Sequence, residues 1–263
     1  MHRSWPRAAC LALIVALGVV TAGCSASHDT CGGGATCTRV LFIGNSYTYT
    51  NDLPGTFVAL AQSGGHPVAA DSVAEGGATL ADANTSDATA TKLAATQWGF
   101  VVLQEQSEIP SLAWSRDNEM YPAARALVAR VKAVNSTPVF FMTWAHEAGW
   151  PENGLPDYLA MQQQIDAGYV TIAQQLGVPE APVGYAWARV HRADPALALW
   201  IDDGSHPTAA GTYLAACVFY ATIFRQSPNG LSWTDGLSGA DAQLIQATAT
   251  TAVFSPAQAW LSP

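Results

Sequence analysis

The chain changes character abruptly at Ser46. The apolar run Arg39-Val40-Leu41-Phe42-Ile43 stops at Gly44-Asn45-Ser46, and a β-branched, aromatic run closed by glycine and small polar residues reads as a buried strand that hands a hydroxyl to a loop. Far downstream, Asp203-Gly204-Ser205-His206-Pro207 precedes a long apolar segment running to Phe224. A Ser/Pro-flanked entry into such a segment is a helix start, which puts Asp203 and His206 on the loop before it. Three residues apart on a tight loop, the carboxylate can take the His206 Nδ1–H, fix the tautomer and leave Nε2 to remove a proton from a hydroxyl. With Ser46 supplying that hydroxyl, the three form a nucleophile, a general base and its orienting acid. Each part also has a plainer reading, because strand-to-loop junctions are common and Asp and His are frequent at caps and in loops.

The elements between these residues have to bring them together. Strand candidates are 40–43, 68–73, 100–104, 138–143 and a weaker one at 181–185, with helical patterns between them. Apolar Tyr158, Leu159, Ile165, Tyr169, Ile172 and Leu176 mark a helical face over 155–177, closed by glycine; Met120, Leu127, Val128, Val131 and Val134 mark another. Alternating strands and helices imply right-handed βαβ units. The expected fold is α/β: a three-layer α/β/α sandwich around a flavodoxin-like parallel sheet of about five strands. No internal repeat is visible.

The chain opens with a basic stretch, Met1 to Arg7, then an apolar core over 8–20 and small residues before Cys24. This reads as a secretory signal over 1–23, too short to stay in a bilayer as a spanning helix. Small residues before a cysteine also resemble a lipobox, which would leave Cys24 lipidated and the protein attached to a membrane surface; plain secretion is the alternative. Residues 24–38 are expected to be a flexible tether and 39–263 the catalytic domain, about 240 residues after the leader being enough for one sizeable core. Cys31 and Cys37 bracket Gly-Gly-Gly-Ala-Thr, and a disulfide closing that loop suits an exported protein. Cys217 lies in an apolar segment and reads as a buried small hydrophobe. No Cys/His spacing suggests a metal site, and no cofactor is expected. With 11 Lys plus Arg against 20 Asp plus Glu, a formal net charge of −9 and no basic cluster, the mature chain lacks the cationic footprint of a nucleic-acid binder.

Gly44-Asn45-Ser46 after a first strand, together with Asp203-Gly204-Ser205-His206-Pro207 near the C-terminus, resembles the SGNH/GDSL hydrolase superfamily in its Gly-Asn-Ser branches. The resemblance spans 40–224. It implies that Ser46 attacks an ester carbonyl, that His206 takes the proton and that Asp203 orients it. Ser72-Val73-Ala74-Glu75-Gly76-Gly77-Ala78-Thr79 looks like the second family block, in which a glycine N–H, here that of Gly77, joins the Ser46 N–H in the oxyanion hole. The third block departs: where the family has Gly-x-Asn-Asp, this chain has Gln104-Glu105-Gln106-Ser107. Carbohydrate acetylesterase branches show a similar Gln-Gly-Glu-Ser block, which makes Gln104 the expected amide donor and Gln106 the alternative.

The implied activity is hydrolysis of small acyl esters, acetyl above all, on a small ester or an acylated carbohydrate. A broad short-chain esterase or lipase, or a non-catalytic cell-envelope lipoprotein of the same fold, are the alternatives. Asn45 is expected to shape the turn, since Asn tolerates left-handed backbone. Trp144 and Trp150, on the segment after a strand, are candidates for an aromatic wall beside the substrate, with aromatic packing of a long loop as the plainer reading. His66, His146 and His191 read as loop or surface histidines, and Trp233 and Trp260 as packing for a C-terminal extension.

Overall fold

A computed structural model describes residues 28–31 and 36–255 of the chain. The expected signal segment, Cys24 and Trp260 lie outside the described residues. Six strands form one sheet: β1 (His28–Asp29), β2 (Thr38–Gly44), β3 (Val68–Ala74), β4 (Phe100–Leu103), β5 (Thr137–Met142) and β6 (Glu180–Pro182), in the order β1-β3-β2-β4-β5-β6. All neighbours run parallel except β1, which lies antiparallel on β3. Setting β1 aside, the order is the flavodoxin-like one, and its switch point falls between β2 and β4. In open α/β sheets that crevice, outside the carboxyl ends of the strands, is where ligands bind.

A parallel sheet must be covered on both faces. The helices are α1 (Ser46–Tyr49), α2 (Leu53–Ser63), α3 (Leu80–Thr85), α4 (Asp87–Ala95), α5 (Ala113–Ser115), α6 (Tyr121–Ala133), α7 (Tyr158–Leu176), α8 (Val183–Ala193), α9 (Ala209–Phe224) and α10 (Gly239–Phe254). Helices α3, α6 and α7 pack in succession on one side, and α2, α9, α10 and α8 on the other. Every residue of α9 from Ala210 to Ile223 is buried. A helix apolar all round has to be covered all round, and here α2 and α10 lie against it.

Two expectations change. The sheet has a sixth strand because part of the expected tether joins it: Thr30 N–H donates to Val68 O (2.9 Å), Val68 N–H donates to Thr30 Oγ1 (2.9 Å) and His28 Nε2 lies 2.9 Å from an Asp52 oxygen. The Cys31–Cys37 disulfide, with a Cα–Cα distance of 5.4 Å, follows directly. The strand expected over 181–185 ends at Pro182. Proline offers no N–H to a ladder, and the buried Val183, Ala186, Trp187 and Val190 recur at helical spacing, so 183–185 begin α8 instead.

Candidate active site

The end of β2 is built by close approach. A Cβ on Gly44 would stand 2.4 Å from Gln104 Oε1 and 2.5 Å from Thr48 Oγ1, so only glycine fits there. Asn45 then caps α1: its Oδ1 accepts from Tyr47 N–H (3.1 Å) and from Gln104 Nε2–H (2.7 Å), while its Nδ2–H donates to Ala78 O (2.9 Å). Its φ of −139° is not left-handed, so Asn45 serves this turn by capping and cross-linking rather than by tolerating an unusual backbone. Ser46 is thereby the first residue of α1, with an N–H that has no acceptor in a preceding turn.

The loop before α9 brings its partners to that serine. His206 Nε2 lies 2.9 Å from Ser46 Oγ, and His206 Nδ1 lies 2.6 Å from Asp203 Oδ2. The other carboxylate oxygen, Oδ1, accepts from Ser205 N–H (2.8 Å) and His206 N–H (2.9 Å), so one aspartate fixes both the ring and the backbone that carries it. Partial burial pushes the Asp203 carboxyl up, but those two N–H groups and the His206 ring outweigh it and hold the group below the usual carboxylate range. An anion facing Nδ1 keeps that nitrogen protonated and leaves the Nε2 lone pair on the serine hydroxyl. The loop is anchored from three sides. Ile201 N–H donates to His206 O (2.9 Å), Asn51 Nδ2–H donates to Pro207 O (2.9 Å) and Trp144 Nε1–H donates to Ser205 O (2.9 Å). Asn51 and the next residue, Asp52, both hold φ of +54°, and strain of this kind persists where the surroundings over-determine it.

The amide expected to complete an oxyanion hole is not the first glutamine. Gln104 is 1% exposed, and its Nε2 donates to Asn45 Oδ1 (2.7 Å) and to Glu105 O (2.8 Å), which uses both of its hydrogens. Its Oε1 accepts from Asn45 N–H (3.0 Å) and Thr48 Oγ1–H (2.8 Å), so Gln104 is the internal brace of the turn. Gln106 anchors its own Oε1 on Glu108 N–H (2.7 Å) and Ile109 N–H (3.2 Å), and its Nε2 has only a long contact of 3.4 Å to Ser107 Oγ. The amide with a hydrogen to give is therefore that of Gln106. Gly77 is exposed and left-handed at φ +72°, with nothing within 4 Å of where a Cβ would project.

Trp144 is no substrate wall. It is fully buried, stacked between Tyr47 (centroids 4.4 Å apart) and Trp187 (4.0 Å), and it fails as a wall because its ring is core. Trp150 is half-buried where it bridges to Leu155 and packs at the fringe of the core. His146, expected as an ordinary loop residue, stands within electrostatic reach of Asp203, His206 and Glu108, and burial lowers its pKa. Glu147 N–H donates to Gly204 O (2.8 Å), so the loop after β5 rests on the loop that carries His206. The position after a strand was the sequence signal for His146; its reach to Asp203 and His206 depends on the fold. Among the described residues no cluster of His, Cys, Asp and Glu could hold a metal ion.

No family model matches the sequence, and no curated protein matches it. Among solved structures the chain is similar to a DUF4886 family protein of Bacteroides uniformis, at 17% identity over 84% of this chain and 96% of that one, with a TM-score of 0.73. It is similar to an acetyl-xylooligosaccharide esterase of Geobacillus at 17% identity, over 76% of this chain and 97% of the other, with a TM-score of 0.52. A protein of Slackia heliotrinireducens assigned to the SGNH hydrolases is 30% identical and is covered over 99% of its length by 71% of this chain, with a TM-score of 0.60. Serine, histidine and aspartate in hydrogen-bonded succession at the switch point of a doubly wound sheet, and that relative, lead to one assignment: the chain belongs to the SGNH hydrolases, serine hydrolases acting on ester bonds.

Proposed function

We propose that this chain is an exported esterase that removes small acyl groups, acetyl above all, from carbohydrate through Ser46, His206 and Asp203. The observation that carries the reading is the succession Ser46 Oγ, His206 Nε2 at 2.9 Å and Asp203 Oδ2 at 2.6 Å from Nδ1. Ser46 Oγ attacks the ester carbonyl as His206 Nε2 takes its proton. The oxyanion is met by the Ser46 and Gly77 N–H groups and by the Gln106 amide. His206 returns the proton to the leaving alcohol, and the acyl-enzyme remains on Ser46. A water deprotonated by His206 then attacks the acyl carbonyl, and collapse releases the acid and restores Ser46.

Preference for a small acyl group on a sugar draws on the character of the surroundings. Ser205, Ser107 and Glu108 stand around Tyr47, the residue after the serine, Gln106 lies against Ser107, and His146 is within reach of Glu108, Asp203 and His206, a polar rim suited to a hydroxyl-rich leaving group. The similarity in fold to an acetyl-xylooligosaccharide esterase points the same way. The leader over 1–23 supports placement outside the cytoplasm, with Cys24 as a lipid attachment to a membrane surface.

The test is hydrolysis of acetylated xylo-oligosaccharides and of p-nitrophenyl esters of rising chain length by purified protein. Wild type should release acetate and favour acetyl over octanoyl esters, and Ser46→Ala should lose roughly 10⁴-fold or more in kcat. Activity retained by Ser46→Ala overturns the mechanism; preference for octanoyl overturns the substrate class.

A further inference from the structure

Glu105 is a buried carboxyl that the chemistry above does not use. It stands directly after Gln104 at the end of β4 and is 1% exposed. One oxygen, Oε1, accepts from Leu80 N–H (3.0 Å) and from Gln106 N–H (2.7 Å); the other, Oε2, is buried without a partner. Its backbone N–H donates to Tyr169 Oη (3.1 Å). Burial pushes the carboxyl up to about 7 against the pull of those two N–H groups, with Glu119 and Asp82 adding to the rise. A carboxyl in such a place costs several kcal/mol unless its hydrogen bonds repay it.

The two N–H groups belong to different walls of the candidate oxyanion pocket. Leu80 opens α3 and follows Gly77-Ala78-Thr79, the segment that carries the glycine donor. Gln106 carries the side-chain amide with a hydrogen left to give. The same glycine segment is tied to the nucleophile turn by the Asn45 Nδ2–H donated to Ala78 O at 2.9 Å. Its far end at Leu80 is held by Glu105. We infer that Glu105 is a positioning residue for the oxyanion pocket, a single carboxyl oxygen clasping the Gly77–Leu80 segment to the backbone of Gln106. The inference rests on the esterase reading, since a clasp of this kind matters only if an oxyanion forms between the two walls.

Interactions realised only in the transition state act on kcat and leave KM in place. Glu105→Gln keeps an acceptor oxygen at the position of Oε1, whereas Glu105→Leu fills the space without one. Glu105→Asp keeps the carboxyl but withdraws the oxygen by one methylene. With acetyl ester substrate, Glu105→Gln should keep kcat within about fivefold of wild type, and Glu105→Leu should lose roughly 100-fold in kcat with KM within about threefold, the scale of one oxyanion donor. Circular dichroism on the same samples reports folding. Should Glu105→Leu not fold, Glu105→Asp decides, with at least a tenfold loss in kcat expected. A folded Glu105→Leu or Glu105→Asp with wild-type kcat, a loss confined to KM, or a Glu105→Gln as impaired as Glu105→Leu overturns the clasp. A wild-type protein that hydrolyses no ester overturns the esterase reading and the clasp with it, while normal kcat in variants of an active protein overturns the clasp alone.

Discussion

Glu180 opens β6 and makes stability depend on pH. Its Oε2 is buried without a partner, and burial pushes its carboxyl from 4.5 up to about 7. A folded pKa above the unfolded one means that the protonated group favours the native state. That stability is fully present below the unfolded pKa of 4.5 and is lost as pH rises through about 7. At 1.36 kcal/mol per pKa unit the full effect comes to about 3 kcal/mol, most of which falls between pH 5 and pH 8. Asp166, also buried and raised, lies within reach of Glu180's charge, so both carboxyls work in the same direction. Glu180→Gln cannot ionise and should remove this share of the pH dependence. The assay is urea unfolding of wild type and Glu180→Gln at pH 5 and pH 8. Relative to wild type, the variant should gain about 2–3 kcal/mol on going from pH 5 to pH 8, a midpoint shift of roughly 1 M urea at an m of 2–3 kcal/mol/M. Stability differences between the two proteins that are equal at both pH values would refute the reasoning.

Two further outcomes follow from the site. Asp203→Asn would put an amide N–H opposite His206 Nδ1 where the carboxylate oxygen now lies at 2.6 Å, favouring the tautomer with the proton on Nε2. A fall of roughly 10⁴ in kcat with little change in melting temperature is expected, and near-normal turnover of an acetyl ester would refute it. Trp144→Ala removes a fully buried ring stacked on Tyr47 and Trp187, together with the donor to Ser205 O, and should cost about 3–5 kcal/mol in urea unfolding. A variant as stable as wild type, altered only in KM, would restore Trp144 to the role of a substrate wall.

How far the sequence could be read depended on how locally each feature is encoded. Strands β2 to β5 and the helices α6 and α7 were legible because each carries its own periodicity and punctuation. Asp203 and His206 were legible because three residues on one loop suffice to bring a carboxylate to an imidazole. The brace at Gln104 was not. Gln104 and Gln106 offer the same amide, and only the approach of Asn45 and Thr48, from the turn after β2 and from α1, decides which one is spent internally. The choice between wall and core for Trp144 is hidden for a similar reason, since position after a strand says where the backbone goes but not which way a ring turns. β1 escaped notice because a two-residue strand has no period; what places it is Thr30 on Val68 and His28 on Asp52, contacts between distant parts of the chain.

The complete burial of α9 has a consequence for how the protein comes into being. Ser46 and its turn leave the ribosome early, but the histidine that must face it sits on the loop leading into α9, and α9 is covered in part by α10, the last element described. During synthesis from the N-terminus Ser46 is therefore made long before His206 can be held against it. Until Gly239–Phe254 docks, an apolar face of α9 lies open to water behind the His206 loop, so the contact between Ser46 and His206 depends on an element that follows both of them, not on the segment that carries the serine.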